Sequence, residues 1–133
     1  MEPTLQVDDR VACVKKDHLH RYDIIILQAP NGENERLVKR VIGLPYETIE
    51  IKDQKVFING EKVEEPYIKE PPTYSLKVAI GENNYFLLGD NRNESEDSSV
   101  WGPVDGGLIQ AKVFCRYWPL KKFRLFTRFS INP

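Results

Sequence analysis

"ETIEIKDQKVFINGEKVEEPYI", residues 47–68, alternates apolar and polar side chains and is interrupted by turn formers at Asp53-Gln54 and Asn59-Gly60. An alternation of period two is the signature of strands with one buried face, since a helix would repeat every three to four residues. Asn-Gly between two such runs is a strong hairpin signal, because both residues tolerate the positive φ that a two-residue turn demands. This stretch therefore predicts a meander of short strands.

The same pattern extends outward in both directions. "RVACVKK" at 10–16 and "YDIIILQ" at 22–28 are rich in β-branched or alternating apolar residues, and "PNGENE" at 30–35 reads as a turn. "RLVKRVIG" follows as a strand ending at Gly43, and "YFLLGD" begins another at Tyr85. "LIQAKVFCRYWPL" supplies a last long strand that Pro119 should end, because proline cannot continue a ladder. "KEPPTYSLKVAIGENN", with adjacent Pro71 and Pro72, reads as a loop across the surface. No amphipathic helix, internal repeat or low-complexity tract is visible. The expected fold is all-β, a sandwich or barrel of folded antiparallel sheets with little helix, spanning residues 1–133 as a single domain.

A chain of 133 residues with 41% hydrophobic content can build a real core. Its net charge of -1, from 19 basic and 20 acidic residues, provides no uniform field to draw nucleic acid. The aliphatic runs are short, such as Ile24 to Leu27, far below the ~20 apolar residues of a membrane span. "MEPTLQVDDR" lacks the basic-then-apolar order of a signal peptide. Cys13 and Cys115 lie in two separate strand-like segments without metal-ligand spacing, so they are either buried thiols or one disulfide.

Two places could carry chemistry. Lys39 in "LVKRVIGLP" shares a strand face with Leu37 and Val41, while Val38, Arg40 and Ile42 share the other. It is either an edge-strand lysine reaching out to water, or a desolvated lysine kept neutral as a general base. Lowering a lysine from about 10.4 to about 8 takes roughly 3 kcal/mol, which burial can supply. Such a base needs a hydroxyl nucleophile and a polar group to aim its amine. "GDNRNESEDSSVWG", residues 89–102, gathers Ser95, Ser98 and Ser99 near Asp90 and Asp97. It is either a solvated turn or the wall of a site. There is no glycine-rich phosphate cradle and no G-x-S-x-G elbow. His18 and His20 have no further His or Cys nearby, so they read as exposed residues and no metal is expected.

Taken in order, three segments resemble type I signal peptidases, the membrane-anchored Ser-Lys endopeptidases. "MEPTLQVDDRV" is similar to the family's S-M-x-P-T-L, "VKRVIGLP" to its K-R-x-x-G-x-P-G-D, and "GDNRNESEDSSVWG" to its G-D-N-R-x-x-S-x-D-S-R, with "VFING" between them. The resemblance implies that Lys39 is the general base, Ser95 the hydroxyl that orients it, and Asp97 a brace. Arg40 and Asp90 would pair beside the lysine, and Asn91, Arg92 and Ser98 would support the wall. Met1 and Pro3 would contact substrate, with Thr4 helping to shape that turn. The family's nucleophilic serine would immediately precede Met1, with a membrane anchor before it, so the 133 residues alone are expected to be inactive.

The resemblance further implies removal of signal peptides from exported preproteins at the extracytoplasmic face of the cell membrane. Small side chains would be preferred at the first and third positions before the cut, in a compact form like that of Gram-positive bacteria. It implies no cofactor and sets no oligomeric state. "WPLKKFRLFTRF" interleaves basic and aromatic residues as a lipid headgroup region would favour, with Trp101 and Trp118 as possible points of bilayer contact. Two departures stand out. Tyr46 and Glu47 replace the family's Gly-Asp, and Tyr46 should disfavour the turn that glycine allows. Ser99 replaces an arginine expected to pair with Asp97, leaving Arg92 as a substitute partner. A noncatalytic relative acting in assembly, for instance of pili, is the alternative, and the self-cleaving repressor fold a more distant one.

Overall fold

The computed structural model describes residues 1–16 and 18–126. Its strands are β1 (Arg10–Val14), β2 (Ile24–Gln28), β3 (Arg36–Gly43), β4 (Thr48–Lys52), β5 (Lys55–Ile58) and β6 (Glu61–Lys62). Next come β7 (Leu76–Ala79), β8 (Asn84–Leu88), β9 (Val104–Asp105), β10 (Ile109–Trp118) and β11 (Arg124–Leu125), with one short helix, α1 (Ser98–Trp101), between β8 and β9. Every pairing is antiparallel. The larger sheet has the order β1-β10-β2-β3-β8-β9 with β11 beside β10, and the smaller one β6-β5-β4-β7. The all-β reading holds.

The meander forms the smaller sheet, and its two turns explain its register. Asp53 and Gln54 both have positive φ, as do Asn59 and Gly60, so each pair closes a two-residue hairpin whose twist matches the strands. Ile49, Ile51, Val56 and Ile58 point inward and meet Ile42, Phe86 and Leu88 from β3 and β8, which joins the two sheets through a common core. A second core lies on the Lys39 face of the larger sheet, around Ile25, Leu27, Val41 and Leu87.

Residues 69–84 are not all loop. Leu76–Ala79 forms β7, which pairs with β4 and completes the smaller sheet. Its Leu76 and Val78 are only partly buried, so this edge strand has a weak apolar signature that the preceding prolines obscured. The last strand does stop at Trp118, before Pro119. Both cysteines are free thiols on adjacent strands, Cys13 exposed and Cys115 buried.

The turn after β3 departs from expectation. Tyr46 adopts φ 71, the left-handed conformation that a glycine would take there, with its side chain in solvent. Its N–H donates to the Ile80 carbonyl at 3.0 Å, and neighbouring Glu47 forks onto Arg21 at 2.7 and 2.6 Å. The tertiary contacts hold the turn, and the tyrosine bears the strain.

Candidate active site

Lys39 does not lie on an edge. β3 runs between β2 and β8, and Lys39 is half-buried on the face that carries Leu37 and Val41. The Lys39 Nζ donates to Ser95 Oγ at 2.9 Å. Among the described residues no carboxylate lies within ion-pair distance of it. Burial holds the amine below the ordinary lysine value, opposed by the fields of Asp97, Glu96 and Glu35.

β8 delivers the segment 89–102 to this lysine. Arg40 pairs with Leu88 across the β3–β8 ladder, so the chain leaves β8 alongside Lys39. Gly89 stands at that exit, and a Cβ there would strike the Ser95 side chain and come within 3.7 Å of the Lys39 amine. Its peptide is gripped on both sides. The Gly89 N–H donates to Asp97 Oδ2 at 2.9 Å, and its carbonyl accepts from Arg92 Nε at 2.9 Å.

Asp97 is fully buried and also caps α1, accepting the Ser99 N–H at 2.9 Å and the Ser99 hydroxyl at 2.6 Å. Ser99 itself is thus the partner of Asp97, and the expected substitution by Arg92 does not occur. Arg92 instead forks onto Glu65 with two bonds of 2.7 Å, because the loop turns its guanidinium toward residues 65–67. Ser98 Oγ accepts the Leu87 N–H at 2.9 Å, tying α1 back to β8. Sequence patterning gave no hint of Glu65 or of Tyr74, which is partly buried with its hydroxyl out of solvent and has its phenol pushed up to about 12, first by burial and then by the Asp97 carboxylate. Both act across more than twenty residues of chain, beyond any local pattern.

On the opposite face of β3, Arg40 and Asp90 form a buried fork with bonds of 2.9 and 2.7 Å. The Thr4 hydroxyl donates to the same carboxylate, and the Tyr67 ring lies 4.0 Å from the guanidinium. The Thr4 bond draws the N-terminal segment against the site. Met1 lines one groove with Val38, the residue that precedes Lys39 on β3.

Met1, Leu5, Val7, Val11 and Val38 line a groove of about 400 Å³ together with the polar Glu2, Gln6, Asp9, Asn91 and Glu94. Pro3, expected beside Met1, lines a different cleft with Arg40 and Arg116, because the segment turns between the two depressions. Trp101 packs against the core with its indole N–H buried, which leaves Trp118 as the exposed tryptophan of the pair. His18 and His20 are exposed, and the described residues contain no cluster of three or more His, Cys, Asp or Glu able to hold a metal. Among them no helix is long and apolar enough to cross a membrane. Residues 127–129, the end of the basic and aromatic stretch, lie outside the described residues.

An amine on an interior strand, half-buried without a counter-ion among the described residues and aimed by a hydroxyl, is an arrangement suited to taking a proton from a second hydroxyl. The chain belongs to the signal peptidase family, peptidase S26, whose model matches residues 1–118. It is 36% identical to a probable signal peptidase I-2 of Synechocystis sp., over 96% of this chain and 63% of that protein. It is 39% identical to a signal peptidase I of Leptolyngbya laminosa, over 92% and 66%. A signal peptidase IB of Staphylococcus aureus is 32% identical across the whole chain and 78% of its own length. The chain thus spans a little under two thirds of the first two relatives. A crystal structure of a signal peptidase I from Enterococcus faecalis superimposes with a TM-score of 0.66 at 32% identity, covering 72% of this chain and 97% of that one.

Proposed function

We propose that this chain is the catalytic β domain of a Ser-Lys endopeptidase that removes signal peptides from exported preproteins at the extracytoplasmic membrane surface. The observation that carries the proposal is the 2.9 Å contact between Lys39 Nζ and Ser95 Oγ, made by an amine that burial keeps easy to deprotonate. The position of Met1 in one groove with Val38, next to Lys39 on β3, supports the same reading, since a residue immediately before Met1 would start from that point.

In the proposed reaction a serine preceding Met1 attacks the scissile carbonyl while neutral Lys39 takes its proton. Lys39 returns the proton to the leaving amine, then draws one from water as that water opens the ester, and passes it to the departing serine oxygen, restoring the hydroxyl and the neutral lysine. Ser95 aims the lysine, and Asp97 fixes the loop that carries Ser95. The apolar groove between Met1, Leu5, Val11 and Val38 suits small side chains of an extended substrate.

The test is cleavage of a signal-peptide substrate by a version carrying serine before Met1. Lys39→Ala should abolish turnover, whereas Lys16→Ala, whose amine binds the Gly106 carbonyl, should not. Equal rates for Lys39→Ala and the unmodified enzyme would rule out the dyad.

A further inference from the structure

Beyond the groove, the turn of residues 3–9 has a second depression on its other side, a cleft of about 530 Å³. Four cations line it, Arg40, Arg116, Lys122 and Arg124, with one carboxylate, Asp9. Two are already used. Arg40 is bound by Asp90, and Arg116 lies 3.4 Å from Asp9 while joining the cleft walls through the Thr4 and Lys122 carbonyls, each at 2.7 Å. Lys122 and Arg124 have no carboxylate within ion-pair distance among the described residues, and Arg124 is propped over the Phe126 ring at 4.9 Å. The cleft thus holds two uncompensated positive charges in a concavity large enough for a small polar group.

The residues interleaved with these cations point outward and are apolar. Leu120 is 71% exposed, Phe123 56% and Leu125 48%. A freely diffusing anion would have no use for these apolar neighbours of Lys122 and Arg124 in sequence. A bilayer surface would match both parts, with apolar tips entering the headgroup boundary while phosphates meet the cations.

We infer that this cleft binds the phosphodiester of an anionic lipid headgroup, with Lys122 and Arg124 as its ligands, and so docks the domain with the neighbouring groove at the membrane. The inference rests on the membrane-surface reading above, but its readout is binding without turnover. The two can therefore fail separately, and Lys39→Ala should bind lipid like the unmodified chain.

The experiment is co-sedimentation of the 133-residue chain with phosphatidylglycerol or phosphatidylcholine vesicles at constant ionic strength. Binding is expected for the anionic vesicles, and the double variant Lys122→Gln/Arg124→Gln should weaken it by about tenfold or more. The charge-matched pair Lys55→Gln/Lys77→Gln, on exposed positions of the smaller sheet, should change it less than about twofold. Equal losses from both pairs would reduce the effect to net charge and overturn the inference, as would absence of binding to anionic vesicles. Displacement by inorganic phosphate beyond that caused by chloride of equal ionic strength would make free phosphate the ligand and overturn the lipid assignment.

Discussion

Lys39 and Lys112 stand on either side of Ile25, each directly opposite it across a ladder, so the three side chains leave one face of the larger sheet in a row. Lys112 is 9% exposed, and its amine meets the Asp23 carboxylate at 3.3 Å and the His18 carbonyl at 2.7 Å. Among the described residues, the Lys39 amine meets only the neutral Ser95 hydroxyl. A buried lysine given a carboxylate is a structural cation, whereas one given only a hydroxyl is a base in waiting. What separates them is the partner supplied by a distant loop.

The widest separation should come from deleting each amine in a version carrying serine before Met1. Lys39→Ala is expected to cost about a thousandfold or more in cleavage, within the range for removing a general base. Lys112→Ala should keep cleavage within a few-fold. Its cost should appear in urea denaturation as about 1–3 kcal/mol, from an Asp23 that loses its lysine and keeps only the His20 N–H bond among those the described residues give it.

Gly89→Ala attacks the Lys39 side of the pair without touching the lysine. The new Cβ collides with Ser95, so cleavage should fall about ten- to a hundredfold as the amine loses its aim. Overpacking should cost about 1–3 kcal/mol in the same denaturation assay. Retained cleavage would mean that Ser95 does not position Lys39.

Glu96→Gln sharpens the electrostatics. Glu96 raises the Lys39 value, so its removal should lower that value further and move the acid limb of the pH–rate profile to lower pH. The sign for stability follows from the same depression. Between the folded and unfolded Lys39 values the unfolded chain binds more protons, so stability should rise with pH through that window, and Lys39→Met should flatten the rise.

The smallest effect is expected at Tyr46, away from both lysines. Tyr46→Gly relieves a positive-φ tyrosine and should stabilise by about 1 kcal/mol in thermal unfolding, with cleavage unchanged.

How legible these features were depends on the range of the interactions. The hairpins at Asp53-Gln54 and Asn59-Gly60 were readable because two adjacent residues fix a turn. β7 was not, since Leu76 and Val78 are only partly buried and the strand becomes evident through its ladder with β4. The alternation in β3 placed Lys39 on its face but left open whether the strand was an edge, because neighbours are set by topology. The pairing of Arg40 with Asp90 followed from the family pattern, while that of Arg92 with Glu65 did not, because Glu65 sits in a loop with no motif. Tyr46 shows the reverse case, a local preference overridden by the Ile80 and Arg21 contacts around it.

The most direct measurement is the titration of the Lys39 amine in the folded protein, followed by NMR on a chain labelled at lysine Cε and assigned with Lys39→Met. A midpoint clearly below the ordinary lysine value of about 10.4, moving lower still in Glu96→Gln, is what a desolvated base held by Ser95 requires. A midpoint at or above that value would show an amine that keeps its charge, and Lys39 would then be a structural cation like Lys112.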